Sequence, residues 1–120
     1  MREFKKGSLG LLVLHLLFEQ PSYGWELCER LRERSEGELH FEDAAVYPLL
    51  HAYERDGLVE GYWEANVEGS EARKGPRRRY YRLTPRGVGA LSAALRDWHT
   101  FATAVGRILG DPAISHEEGQ

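Results

Sequence analysis

Residues 73–87, RKGPRRRYYRLTPRG, hold seven cationic side chains in fifteen positions, although the 120-residue chain has a net charge of −3. Clustered guanidinium groups call for an anionic partner, and a nucleic-acid backbone presents anions in such density. The rest of the chain does not assist that attraction, since residues 21–66 carry 11 acidic against 4 basic side chains. Exposed charges more than about 8–10 Å apart are largely screened in physiological salt, so a polyanion would have to meet the local patch. On charge alone, a solvated arginine-rich loop is the alternative.

The other chemistry-bearing residues form no catalytic pattern. His15, His40, His51, His99 and His116 make no i, i+4 pair and no HExxH or HxH motif; no serine lies in a GxSxG setting, and the Gly-rich segment lacks a GKS or GKT ending. No catalytic residue, metal ligand or cofactor is expected, and an enzyme is disfavoured. Cys28 is the only cysteine, which excludes an internal disulfide and reads as a small buried hydrophobe in a reducing cytoplasm. The longest apolar stretch, residues 9–18, is broken by Gly10 and His15 and is far shorter than the ~20 residues that cross a bilayer. With no small-residue cleavage site behind it, the chain is expected to stay inside the cell, with no membrane partner.

These side chains need a scaffold. Residues 8–19 form a helix that is apolar nearly all round and must be covered on more than one side. A second helix is predicted over 22–35, capped by Ser22, with Trp25, Leu27, Cys28 and Leu31 facing inward. Gly37 ends it and residues 38–41 are extended. A third helix starts near Glu42 and Asp43, turns Val46, Leu50 and Tyr53 to the core, and stops at Gly57. Pro48 falls in its first turns, where a missing N–H has no intrahelical acceptor to lose. Residues 58–65 and 77–83 read as strands joined by a Gly-rich loop over 66–76. Thr84 then caps, and Pro85 opens, a fourth helix that runs to Leu109.

Three helices followed by a β-hairpin give a mainly α fold class, the winged helix-turn-helix, in which the third helix enters a major groove and the hairpin tip lies along the backbone. The expected organisation is a DNA-binding domain over 1–84, a dimerisation helix over 85–110 and a frayed acidic tail over 111–120. Phosphate contacts fall to Arg73, Lys74, Arg77, Arg78 and Arg79 of the wing, not all of which can face DNA because strand side chains alternate. Lys5, Lys6 and Tyr23 are further backbone contacts. Ala45, Tyr47, Pro48, His51 and Arg55 are left to face the groove, and Tyr47 also fits a core position. A winged-helix protein-interaction module without DNA binding is the alternative, on the strength of the acidic middle segment.

In the last helix Leu91, Leu95, Trp98, Ala102, Val105 and Leu109 step by 4, 3, 4, 3 and 4, the spacing of a coiled-coil seam. With Phe101, and with Leu9 and Leu12 of the first helix, they are expected to form a homodimer interface; an intrachain core stripe is the alternative. A two-fold dimer places its recognition helices about one DNA turn (~34 Å) apart and demands a roughly palindromic operator. Trp98 sits mid-seam, near its own copy, in an aromatic-walled slot suited to a flat apolar or cationic compound.

Three segments carry a likeness to a known family: PSYGWEL at 21–27, VYPLLHAYERDGLVEGYWE at 46–64 and RRRYYRLTPRG at 77–87. Together they resemble the PadR family of bacterial transcriptional regulators, over roughly residues 4–109. The single C-terminal helix bearing Trp98 is similar to the compact branch of that family, which includes multidrug-sensing repressors. The resemblance implies a ligand-responsive homodimeric repressor that binds double-stranded DNA and holds a planar aromatic small molecule between its tryptophans. Leu95 and Ala102 would flank Trp98, and Leu11 and His15 would line the slot; His15 also fits a core or interface role. The chain departs from the family pattern at Ala45, where a Thr is common, and at Ala52, where a basic residue is common. Both changes weaken the hold of the third helix on DNA, and Arg73 and Lys74 in a longer wing loop partly offset the loss.

Overall fold

The computed structural model describes residues 2–65 and 77–110. In chain order the elements are α1 (Arg2–Glu19), β1 (Ser22–Tyr23), α2 (Gly24–Arg34), α3 (Asp43–Arg55), β2 (Val59–Trp63), β3 (Arg79–Leu83) and α4 (Pro85–Leu109). The strands form one antiparallel sheet in the order β1-β3-β2, with Tyr23 opposite Tyr80 and Tyr62 opposite Tyr80. This is the mainly helical, winged arrangement expected, with one strand more than a hairpin. The loop over 66–76 and the tail over 111–120 lie outside the described residues.

The extra strand corrects the reading of Ser22 as a helix cap. Ser22 is fully buried in β1, and its Oγ accepts a hydrogen bond of 2.6 Å from Arg30 Nη1. The second Arg30 nitrogen, Nη2, donates to the Leu16 carbonyl and to Glu19, both at 3.1 Å, so one guanidinium ties the end of α1 to β1. Helix α2 therefore starts at Gly24, and its inward positions are Gly24, Leu27, Cys28 and Leu31, at i, i+3, i+4 and i+7. Trp25 falls outside that arc. Instead of facing the core it is 56% exposed and stacks on Tyr23, with ring centroids 6.3 Å apart.

The core collects Val13, Leu16 and Leu17 from α1, Leu27, Cys28 and Leu31 from α2, Phe41 from the connection, Val46 and Leu50 from α3, and Val59 and Tyr81 from the sheet. Tyr53 packs against it, half-buried. Burial pushes the Cys28 thiol up to about 11, in keeping with a packing role. Helix α1 begins at Arg2, not Ser8, because the Arg, Glu and Lys residues before Gly7 are good helix formers. The strands are shorter at their outer ends than expected, and β3 starts at Arg79, not Arg77. Pairing still continues beyond them, with the Glu64 N–H donating to the Arg78 carbonyl at 2.8 Å. The start of α4 is as read: Thr84 Oγ1 accepts from the Gly87 N–H at 3.0 Å and Pro85 follows. Helix α4 packs along α1. Among the described residues no helix is long and apolar enough to cross a membrane.

Candidate nucleic-acid interface

Helix α3 is anchored by Val46 and Leu50, both fully buried, which turns the opposite side outward. Ala45, Pro48, His51 and Arg55 are exposed along that side, as is Ala44. Tyr47 is not among them. Its ring lies where a Cβ on residue 24 would be, 2.4 Å from the nearest ring atom, so Gly24 is what lets α2 and α3 approach there. Burial raises the Tyr47 hydroxyl pKa, and the Trp25 backbone hydrogen-bonds it; Tyr47 is thus a packing residue with His51 tilted beside it at 6.4 Å. Pro48 also departs from expectation. As the sixth residue of α3 it would have donated to the Ala44 carbonyl, so the ladder skips that bond on the exposed side. The outer face is therefore small and poor in donors: His51, and Arg55, whose Nε already meets Asp56 Oδ1 at 3.1 Å.

On the wing, strand alternation places Arg78, Tyr80 and Arg82 on one face and Arg79 and Tyr81 on the other. Tyr23, Tyr80 and Tyr62 form a row across the outer face, with centroid separations of 5.2 and 5.9 Å. Arg78 lies 4.7 Å over the Tyr23 ring, with Glu64 3.7 Å away. Arg82 lies 4.9 Å over Tyr62 and meets Glu60 at 2.9 Å; that hydrogen bond holds its pKa above the ordinary value. On the inner face Arg79 lies 5.1 Å over Trp63 and meets Glu54 of α3 at 2.9 Å. Arg77 is exposed, and its Nε donates to the Glu64 carbonyl at 3.0 Å. Arg73 and Lys74 lie outside the described residues, and Lys5 and Lys6 fall near the start of α1.

The last helix presents a different surface. Leu91 is buried, but further along Leu95 is partly exposed, Trp98 is 48% exposed, Phe101 54% and Leu109 70%. Ala102 and Val105 are half-buried. Leu9 lies in the chain's own core and Leu12 packs against it, so the stripe divides into an inward start and an outward remainder. A groove of about 430 Å³ between α1 and α4 is lined by Gly7, Ser8, Leu11, Ala94, Asp97, Trp98 and Phe101. Of the five ligand residues the resemblance implied, Leu11 and Trp98 line this groove and Leu95 and Ala102 do not. His15 is elsewhere, in a second groove of about 240 Å³ with Leu12, Arg30 and Arg34. A helix turns about 40° beyond a full turn in four residues, enough to carry His15 from the α4 side toward α2, where Nε2 meets Glu19 at 3.2 Å. The hydrogen bond from Arg34 holds the Glu19 carboxyl below its usual range.

The model of the transcriptional regulator PadR-like family matches residues 13–93. The chain belongs to that family. A transcriptional regulator of Mycobacterium tuberculosis is 31% identical over 105 residues, covering 88% of this chain and 89% of that protein. The crystal structure of a PadR family transcriptional regulator from Eggerthella lenta is 32% identical, with a TM-score of 0.74, over 91% of this chain and 88% of that one. A PadR-like regulator from Bacillus cereus is 27% identical, with a TM-score of 0.71, over 89% and 96%. The function that follows from the family is transcriptional regulation, and PadR-like proteins are regulators, not enzymes.

In this PadR-like chain, sequence reasoning missed the groups that surround the wing arginines. Glu60 and Glu64 are spaced as Arg82 and Arg78 are, and an antiparallel pairing sets them opposite; the spacing was visible and the register was not. Glu54 meets Arg79 only through the packing of α3 under the sheet, and Asp97 enters the groove only through the angle of α4 on α1. Neither has a local signature.

Proposed function

We propose that the protein is a homodimeric DNA-binding repressor working in the cytoplasm, with residues 1–84 as the DNA-binding unit and 85–110 as the dimerisation helix. One observation carries the reading: an exposed α3 face beside a guanidinium-bearing wing stands on the same chain as an α4 whose large apolar side chains are uncovered. Phosphate contacts by Arg77, Arg78 and Tyr23, with Arg73, Lys74, Lys5 and Lys6, supply sequence-independent affinity. His51 and Arg55 supply what hydrogen-bonded base reading α3 offers, with Ala45 and Pro48 making apolar contact in the groove. Two-fold symmetry through Leu95, Trp98, Phe101, Ala102, Val105 and Leu109 would set two such faces on a roughly palindromic operator.

The test is a binding titration with the duplex upstream of the protein's own gene. Replacing Arg77 and Arg78 by Ala is expected to weaken binding to every duplex and to reduce the slope of log affinity against log salt by about 0.9 for each phosphate left without its guanidinium. Failure of the unaltered protein to retard any duplex at low ionic strength would end the proposal and leave the winged-helix interaction module, which the pairing of wing arginines with carboxylates favours. The groove at Trp98 supports ligand response, since Leu11 and Phe101 give it apolar walls and Asp97 a carboxylate. A planar aromatic cation is expected to quench tryptophan fluorescence in the intact chain and not after Trp98→Phe; equal quenching in both would remove the groove from the scheme.

A further inference from the structure

Three guanidinium groups of the wing share one construction. Each lies over an aromatic ring and beside a carboxylate: Arg78 over Tyr23 with Glu64, Arg82 over Tyr62 with Glu60, Arg79 over Trp63 with Glu54. The two neighbours have different consequences. A ring face holds a guanidinium in place without cancelling its charge. A carboxylate cancels the charge and adds little to the position, because exposed ion pairs are weak and the ring is already there. The four charged side chains of the outer face, Arg78, Glu64, Arg82 and Glu60, are between 24% and 58% exposed, so a phosphate can reach them from solvent; Arg79 and Glu54 lie on the inner face against α3.

We propose that Glu60 and Glu64 set the DNA affinity of the wing, acting as internal competitors that phosphates must displace from Arg82 and Arg78 on its outer face. The inference rests on the reading of the protein as DNA-binding. A phosphate that takes over one of these guanidiniums leaves the displaced carboxylate a few Å away, well inside the screening length of about 8 Å at physiological salt. That repulsion acts on the phosphate held by the same guanidinium and is lost when the guanidinium is removed. A chain with few donors on the outer face of α3 has its wing held in check as well, which keeps attraction to any arbitrary duplex low, since such attraction is almost wholly phosphate neutralisation.

The sign of one substitution separates this role from a structural one. Glu64→Gln and Glu60→Gln keep side-chain shape and remove charge. Each is expected to tighten binding to duplex DNA roughly 2- to 5-fold, the range of an exposed ion pair, and to steepen the salt dependence by up to about 0.9. If the carboxylates instead serve to fix the arginines, the same changes would loosen the wing and leave binding equal or weaker, with an unchanged or shallower slope; that result overturns the proposal. Arg78→Ala combined with Glu64→Gln is the internal control: the gain from Glu64→Gln must vanish when Arg78 is absent, because the two act as a pair. A gain that survives Arg78→Ala would mean a general charge effect and would also overturn it. Binding by the unaltered protein without the predicted gain sinks only this inference, whereas no binding by any variant sinks the DNA-binding reading with it.

Discussion

On the wing, every described guanidinium from Arg77 to Arg82 has a carboxylate, a carbonyl or an aromatic ring against it. On α4, by contrast, Leu95, Trp98, Phe101, Ile108 and Leu109 keep large exposed areas. The polar surface is closed within one chain and the apolar surface is open. The two behave differently because a charge exposed on a sheet finds cheap partners among neighbouring side chains, whereas an apolar stripe on a helix 25 residues long outruns the domain it starts from. Leu91 marks the last point at which the chain's own core fully covers that stripe. A guanidinium already paired gains little by binding an anion, but a Leu or Phe side chain gains about 1.5–3 kcal/mol when fully buried. Association through α4 should therefore be the strong interaction and DNA binding through the wing the adjustable one.

The largest effect expected from this contrast follows from placing a charge on the open surface. Phe101 is more than half exposed and touches Trp98 at 6.3 Å without belonging to the core, so Phe101→Glu should leave the folded protomer intact. It should weaken self-association by at least ~100-fold, since two buried, unpaired carboxylates would face each other across a two-fold axis. Sedimentation velocity checks this directly. DNA affinity should fall in parallel by about 10²-fold or more, because two linked modules exceed the affinity of one by 10²–10⁴. A variant that sediments as the unaltered protein does would break the contrast and return α4 to the status of an internal stripe.

What the sequence made legible follows the same division between local and long-range causes. The cap at Thr84, the opening Pro85, the length of α4 and the buried pair Val46 and Leu50 are fixed by residues within a turn or two of each other, and all were read correctly. The misreadings at Ser22 and Trp25, and the choice left open at Tyr47, have one source. β1 exists only because β3, almost 60 positions later, pairs with it at Tyr81 and Tyr80; once it forms, α2 must start after Tyr23, which sends Trp25 outward and opens the space at Gly24 that Tyr47 fills. A periodicity count sees none of this, because Ser22 before a helix is an ordinary capping signal. His15 shows the limit on the site: its type marked it as unusual in an apolar run, but the side of α1 it occupies is decided by where α2 and α4 pack.

A smaller effect tests whether the two regions are separate at all. Thr84 stands at their joint, donating from Oγ1 to the Gly57 and Leu58 carbonyls at 2.6 and 3.0 Å and accepting from the Gly87 N–H. One hydroxyl thus closes the end of the wing and the start of α4. Loss of a helix N-cap costs about 0.5–2 kcal/mol, which for a domain of this size lowers the melting midpoint by roughly 5 °C. Thr84→Ser retains the hydroxyl and should melt near the unaltered protein; Thr84→Ala should not. If the wing and α4 form one cooperative unit, Thr84→Ala shifts a single transition, and hydrogen exchange accelerates equally in β3 and in the first turns of α4. If they are separable at residues 84–85, only the first turns of α4 exchange faster while β3 stays protected, and the closed and open surfaces belong to two units joined end to end.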